Sequence, residues 1–372
     1  MDLMTVRQRV HGSARAASRP PYRATYGQHL VTVALGTWLM VGLFVDGWAH
    51  NTLDSSLETF FTPWHALFYS GFLACALWLL WLVRAGLRRG LHGAGAVPQG
   101  YGLGVVGLVV FALGGAGDMT WHLVLGIERD IEALFSPTHL VLFVGIALVL
   151  GSPLRDAWAG PGQSAPTLRG FVPALASITL LVSLLEFFFM YWSPFMTWWP
   201  TVEAARYADG SGDYAFVLRE FALKEGVASV VVTTALLVGP LLLLLRRWRV
   251  PFGTATVLFT VPAVLSSAID AFAEPAVLLA AAVGGLATDL LVRWLRPTPG
   301  RRGAVRTVAV AGPMVLFAAW FAILQLTREV WYTAPVWSGM IVWAGLTGLG
   351  LALLMLPAPV PVGTDADERT AS

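Results

Sequence analysis

Cysteine, charged residues and nucleotide-binding motifs are scarce or absent in this chain of 372 residues. The single cysteine, Cys75, excludes a disulfide framework and a thiolate cluster for zinc or iron–sulfur. Charged residues make up 12% of the chain against 56% hydrophobic residues, and the mean hydropathy is +0.69. Too little polar surface therefore exists to cover a globule in water, and the expected surroundings are a lipid bilayer. No Walker A sequence or serine nucleophile elbow occurs. The formal charge of +2 does not indicate a partner, and no nucleic acid is expected.

Long apolar stretches dominate what remains. About twenty apolar residues are needed to cross roughly 30 Å of hydrocarbon as a helix. The sequence therefore predicts an all-α, polytopic membrane protein with about ten spans inside a transmembrane domain over 26–356. The predicted spans run approximately over 29–50, 63–84, 101–122, 137–154, 170–192, 223–245, 251–273, 275–295, 306–327 and 335–356.

Basic residues are distributed unevenly over the predicted loops. Nineteen of the 24 Lys and Arg residues fall in the two termini and in the loops on their side. Because basic residues stay in the cytoplasm during insertion, we expect both termini to be cytoplasmic in a plasma-membrane protein. Residues 1–25 and 357–372 are predicted to be flexible cytoplasmic tails. The longest outer loop, 193–222, is predicted to contain a short interfacial helix.

Two segments on the predicted outer side share one pattern, Asp-x3-His followed by [Ser/Thr]-Pro-x-His. The first copy contains Asp46, His50 and His65, and the second contains Asp118, His122 and His139. Each copy covers one span, an outer loop and the start of the next span, which predicts a tandem repeat near 29–84 and 101–154. The alignment also matches Asp54 with Glu128 and Glu58 with Glu132. We interpret Glu58 and Glu132 as solvated loop residues, with hydrogen bonding to the metal ligands as the alternative.

Helix geometry explains what the repeated residues can do. Asp and His at i and i+4 share a helix face, so each pair projects together near the outer end of a span. Thr62 or Ser136 suits the N-cap and Pro63 or Pro137 the first helical position of the returning span. The second histidine of each copy then falls in the first turn, where a neutral, metal-ligating imidazole is favoured.

Three interpretations of the repeat remain open at this point. Two histidines and one carboxylate per copy suit a transition metal, copper first in the Irving–Williams order, with zinc or iron as alternatives. The same residues suit a structural hydrogen-bond network without a ligand. Bis-histidine haem is the third interpretation, although haem gains nothing from an Asp one turn before the histidine. The two copies predict either two three-ligand sites or one composite site.

The Asp-x3-His pattern with a later histidine resembles the copper-binding segment of the C subunit of particulate methane and ammonia monooxygenases. The resemblance covers the six repeated residues only. In this chain the second histidine is farther along, the pattern occurs twice and the predicted span count is larger. The resemblance implies a membrane copper site with Asp46, His50 and His65, or Asp118, His122 and His139, as ligands, and does not imply monooxygenase activity.

Other ionisable residues lie within or beside predicted spans, where they are costly and usually mark a function. Glu186, and the pair Asp270 and Glu274, are candidates to join the same outer site. Asp289 is predicted to pair with Arg293 one turn later.

Two functions other than metal binding remain alternatives. One is an ion- or proton-coupled transporter in which the repeated side chains form a pathway. The other is a non-catalytic subunit that docks a membrane partner, or another copy of itself, through 193–222. The sequence does not decide whether the protein is an enzyme.

Overall fold

A computed structural model of the chain describes residues 21–53, 62–126, 130–160, 164–205 and 213–356. Thirteen α-helices and two short 3₁₀ segments make up its regular structure, apart from one isolated bridge between Thr201 and Val330. The helices are α1 Tyr26–Thr52, α2 Pro63–Arg88, α3 Gly102–Leu125, α4 Asp130–Phe135, α5 Pro137–Leu150, α6 Ser152–Ala159, α7 Leu168–Phe188, α8 Val202–Ala205, α9 Asp213–Arg247, α10 Thr254–Ile269, α11 Val277–Leu295, α12 Arg302–Thr327 and α13 Ala334–Met355. The predicted all-α class is confirmed for this part of the chain.

Eight of these helices are long and apolar enough to cross a membrane. A ninth crossing results if α5 and α6, which are bent by 44° at Gly151, act together as one span. Helix α10 has only 16 residues, which at 1.5 Å per residue is shorter than about 30 Å of hydrocarbon. Ten spans therefore remain a prediction, and the bilayer environment rests on the eight long helices.

Helix α9 is longer than its sequence predicts. It begins at Asp213, inside the predicted loop 193–222, and continues for 35 residues to Arg247. Its first turns contain five charged residues among apolar ones, including Glu220 and Lys224 paired at i and i+4, so they lack the continuous apolar run that predicts a span. The same loop contains the four-residue α8, and an interfacial position for a helix there stays a prediction.

The buried side chains form two main clusters, one for each half of the chain. The first is built by α1, α2, α3 and α5, and the second by α9 to α13. Helix α7 contributes to both, with Ile178 and Val182 in the second cluster and Leu184 and Phe187 in the first. Helix α7 therefore joins the two halves, and it is the most buried of the long helices.

Within the first half, two helix pairs pack closely at glycines. A Cβ on Gly71 of α2 would lie 2.6 Å from Leu39 Cα of α1, and a Cβ on Gly145 of α5 would lie 2.8 Å from Phe111 Cα of α3. Close approach of membrane helices depends on small residues of this kind. The two pairs bring the end of α1 to the start of α2, and the end of α3 to the start of α5.

The opposite end of these helices is fixed by the chain that precedes α1. Arg23 donates two hydrogen bonds to the carboxylate of Asp156, at 3.1 and 2.9 Å. His29 Nε2 lies 3.1 Å from the same carboxylate, and His29 Nδ1 lies 2.9 Å from the Tyr101 hydroxyl. This network ties α1 to α6 and to the start of α3.

Candidate metal centre

The described residues include two groups of three His and Asp side chains that can hold a metal ion, and both are copies of the repeated pattern. Asp46, His50 and His65 form the first triad, and Asp118, His122 and His139 form the second triad. In each triad the three ligand atoms lie within 4.8 Å of one another. Tertiary structure thus brings together the residues that each copy separates along the chain.

The returning helix of the first triad begins as its sequence predicts. Thr62 is the N-cap of α2 and accepts a hydrogen bond from the His65 backbone N–H at 3.3 Å, with Pro63 at the first helical position. Thr62 Oγ1 also lies 3.0 Å from His65 Nδ1. With Nδ1 held in this way, Nε2 is the ring nitrogen directed at Asp46.

In the second triad Ser136 caps α5 and accepts from the His139 backbone N–H at 3.3 Å, with Pro137 following. The two predicted N-caps are confirmed. They explain why each second histidine lies at the start of its helix.

The three ligand atoms of the first triad are spaced as a metal requires. His65 Nε2 and His50 Nε2 lie 3.4 and 3.9 Å from Asp46 Oδ1, and the two nitrogens are 3.5 Å apart. In the plane of these three atoms, the point equidistant from them lies about 2.1 Å from each. This is the usual distance from a transition metal to imidazole nitrogen or carboxylate oxygen. The residues of the first triad therefore fit a metal ion.

A second observation supports the same fit. Asp46 Oδ1 is buried, and among the described residues its polar contacts are the two imidazoles of its own triad, at 3.4 and 3.9 Å, without a hydrogen bond of good geometry. A buried carboxylate oxygen without a hydrogen bond costs free energy, and coordination of a cation removes that cost. The first triad thus has an oxygen acceptor in place for a positively charged ligand.

The second triad has the same composition but a carboxylate that is already hydrogen-bonded. His139 Nε2 and His122 Nε2 lie 3.0 and 3.4 Å from Asp118 Oδ1, and the Thr138 hydroxyl donates to that same oxygen at 3.1 Å. His122 Nδ1 lies 3.4 Å from the carbonyl oxygen of Gly126, which favours a proton on Nδ1 and leaves Nε2 facing Asp118. This triad fits both a metal site and a hydrogen-bond network.

Tyr69 connects the two triads, and our sequence analysis did not identify it. It lies on α2 one turn after His65, and its hydroxyl donates to Asp118 Oδ2 at 3.4 Å. Asp46 also lies within electrostatic range of Asp118, His122 and His139. The triads are therefore neighbours. The i+4 spacing from His65 is a signal that could have identified Tyr69, but no spacing within one copy predicts a contact with the other.

Glu186 lies in α7 with 1% of its surface exposed, and its Oε1 atom has no hydrogen-bond partner among the described residues. The adjacent residue, Phe187, packs where a Cβ on Gly47 would lie, one residue after Asp46 in the sequence. Glu186 is nevertheless not part of either group that can hold a metal.

Glu274 belongs to an ion-pair cluster around Arg328, and Asp270 lies within electrostatic range of that arginine. Arg328 Nε donates to Glu274 at 2.7 Å, and Arg328 also pairs with Glu203. The hydrogen bond that Arg328 donates to Glu274 raises the pKa of Arg328. Burial raises the pKa of Asp270, and the nearby charge of Arg328 opposes that shift. The cluster links α8 to the segments that follow α10 and α12. Glu274 therefore already has a cationic partner.

The predicted pairing of Asp289 with Arg293 is wrong. Asp289 instead accepts hydrogen bonds from the backbone N–H groups of Ala255 and Thr256 at 3.0 and 2.9 Å, and from the Thr256 hydroxyl at 2.7 Å. The unsatisfied N–H groups of the first turn of α10 are stronger partners for a buried carboxylate than an exposed arginine.

Of the other predicted loop residues, Glu132 is exposed, as expected for a solvated side chain. Asp54, Glu58 and Glu128 lie outside the described residues, as do most of the two predicted tails.

Comparison with known protein families, curated proteins and solved structures gives no match to this chain.

Proposed function

We propose that this protein is a multi-pass membrane metalloprotein with copper as the preferred metal. One transition metal ion binds at the first triad and a second ion binds at the second triad. The observation that carries the proposal is the common point about 2.1 Å from Asp46 Oδ1, His50 Nε2 and His65 Nε2. The buried Asp46 Oδ1 atom supports the proposal, because no described residue donates a hydrogen bond of good geometry to it. The resemblance to the monooxygenase C subunit segment points to the same ligands.

The donor set favours copper over harder cations. Two imidazole nitrogens and one carboxylate oxygen suit copper, zinc and iron, and copper(II) binds most tightly in the Irving–Williams order. Three protein ligands leave a coordination position for water or a substrate, which is typical of a catalytic rather than a closed structural site. Bound copper would supply redox or Lewis-acid chemistry at that position. The protein's own contribution is to hold His65 through Thr62 and to keep Asp46 shielded from water.

The likeness between the two copies of the pattern supports a tandem repeat. Gly145 and Phe111 occupy the positions that align with Gly71 and Leu39, and both glycines allow the same close helix approach. Each copy also begins its second helix with a hydroxyl N-cap and a proline. With Tyr69 between them, we interpret the triads as two neighbouring sites. The excess of basic residues on the predicted cytoplasmic side supports an extracytoplasmic position for both sites in the plasma membrane.

The test is elemental analysis and electron paramagnetic resonance on the detergent-purified full chain. The variant replaces His50, His65, His122 and His139 by alanine. The matched control is His92→Ala, which removes an exposed histidine outside both triads. We expect near-stoichiometric metal in the wild type and in the control, and none in the fourfold variant. Wild-type protein purified from copper-, zinc- and iron-replete cells without bound metal contradicts the proposal.

Ion- or proton-coupled transport is the second candidate. It is favoured by Glu186 in α7, whose buried Oε1 atom accepts no hydrogen bond from the part of the chain that the structure describes. Reconstituted vesicles test it. Proton-coupled uptake that persists in the fourfold histidine variant and is lost in Glu186→Gln supports transport independently of metal. Vesicles without proton flux, or flux unchanged in Glu186→Gln, exclude this role for Glu186.

A further inference from the structure

Arginines are concentrated where α11 ends and α12 begins, in the second half of the chain and away from both triads. Arg293 and Arg296 stand at the end of α11, and Arg301 and Arg302 at the start of α12. Two adjacent surface grooves of about 900 and 740 Å³ lie here, and Arg301 lines both. We call the larger one, lined by Arg293, Arg296 and Arg301, the basic groove.

The positive charge of the basic groove is not neutralised by neighbouring acids. Across the described ranges, no acidic side chain forms an ion pair with its three arginines, whereas Arg23 and Arg328 elsewhere do have acidic partners. The nearest acidic residue in sequence, Asp289, is occupied at the first turn of α10. Several arginines held together at one helix junction repel one another unless an anion binds between them.

The backbone at this junction has a conformation that arginine seldom adopts. Arg296 caps α11 in the left-handed region, with φ of +48°. Glycine is the usual residue at such a position, because a side chain there costs about 1 kcal/mol. The residue that occupies this position is an arginine that lines the basic groove.

The basic groove changes character along its length. Beyond the arginines it is lined by apolar residues, including Leu290 on α11 and Val315 on α12. Val315 lies fourteen residues after Arg301, which along a helix is about 21 Å and exceeds half of the roughly 30 Å hydrocarbon core. Trp294, 78% exposed, stands between Arg293 and Arg296 in the sequence, and tryptophan commonly marks the level of lipid headgroups.

We propose that the basic groove is a binding site for an anionic phospholipid, whose phosphodiester is held by Arg293, Arg296 and Arg301. The planar guanidinium groups match phosphate oxygens, and an acyl chain occupies the apolar part between α11 and α12. Basic pockets between membrane helices suit anionic headgroups in this way. A soluble anion would use only the charged end, and a zwitterionic lipid would bring its own cation to the arginines. This site does not depend on the metal-binding proposal.

The experiment compares three probes on the full chain in a neutral detergent: phosphatidylglycerol, phosphatidylcholine and glycerol 3-phosphate. Bound lipid is counted by native mass spectrometry over a concentration series. We expect phosphatidylglycerol to bind with at least tenfold higher affinity than phosphatidylcholine, because only its headgroup is anionic. Saturable binding of glycerol 3-phosphate at the same concentrations would identify a simple anion site and overturn the proposal.

Variants locate the site. Arg296→Gln combined with Arg301→Gln should weaken phosphatidylglycerol binding about 25-fold, since each arginine near the membrane surface contributes about fivefold. The matched control combines Arg84→Gln and Arg88→Gln, which remove two exposed arginines at the end of α2 and should leave binding unchanged. Equal loss in both double variants would show that overall charge, and not the basic groove, selects the lipid. Unchanged elution from a sizing column verifies that each variant is folded.

Discussion

The carboxylates of the two triads differ in the hydrogen bonds they already accept, and this difference predicts the order in which metal ions bind. Asp46 Oδ1 accepts none from the described residues, whereas Asp118 Oδ1 accepts one from Thr138 at 3.1 Å. Thr138 donates to Oδ1, the oxygen that faces both histidines, whereas Tyr69 donates to Oδ2, so only the Thr138 bond competes with a metal ion at the second triad. Hydrogen bonds to charged groups contribute about 1.5–3 kcal/mol. Since 1.4 kcal/mol corresponds to a factor of ten, the second ion should bind about 10- to 100-fold more weakly.

Copper titration against a competing chelator measures both dissociation constants. His50→Ala should abolish the tighter site and leave the weaker one, whereas His122→Ala should do the reverse. His92→Ala should retain both. Thr138→Val removes the competing donor and should bring the two constants closer together.

Equal dissociation constants in the wild type would refute this reasoning, because they would mean that the bond from Thr138 does not compete with the metal ion. Loss of the tighter site in His122→Ala would refute it as well. That result would assign the tighter metal site to the second triad.

Three further substitutions test contacts that the structure reveals. Gly71→Ala should lower the free energy of unfolding by about 1–3 kcal/mol through overpacking against α1, whereas Gly27→Ala, which meets nothing within 4 Å, should not. Thermal unfolding in detergent compares the two, and equal melting temperatures would contradict the packing argument. Asp289→Asn replaces one of two acceptor oxygens by a donor facing the Thr256 N–H, and should cost about 2 kcal/mol in the same assay. Tyr69→Phe frees Asp118 Oδ2 and should weaken the second ion about tenfold with the first unchanged; an altered first site would instead make Tyr69 part of the first triad.

Several features of the site could be predicted from sequence because they are local. Asp and His at i and i+4 share a helix face in any helix, and a hydroxyl residue before proline specifies a helix start wherever it occurs. For this reason the N-caps Thr62 and Ser136, and the position of each following histidine, agree with expectation. The two groups that can hold a metal contain the six residues the pattern singled out.

Other features depend on partners that are distant along the chain. The sequence around Asp289 offers Arg293, but the folded chain brings the N-terminus of α10 to it. Glu274 resembles an additional site residue until the fold places Arg328 2.7 Å away. The first turns of α9 mix charged and apolar residues and are predicted to be loop, whereas in the folded chain they are helical and contact distant segments, as in the hydrogen bond from the Tyr332 hydroxyl to the Ala222 carbonyl.

The sequence by itself determined that the chain is helical and lipid-embedded, since apolar length and helix caps act locally. It also determined which six side chains are chemically suited to a metal. Only the tertiary structure decided that they form two neighbouring triads linked by Tyr69, and that the carboxylates of those triads are not equivalent. The physical reason is that distances between ligand atoms, and competition for one carboxylate oxygen, are set by how glycine-lined helices pack, which no single segment encodes.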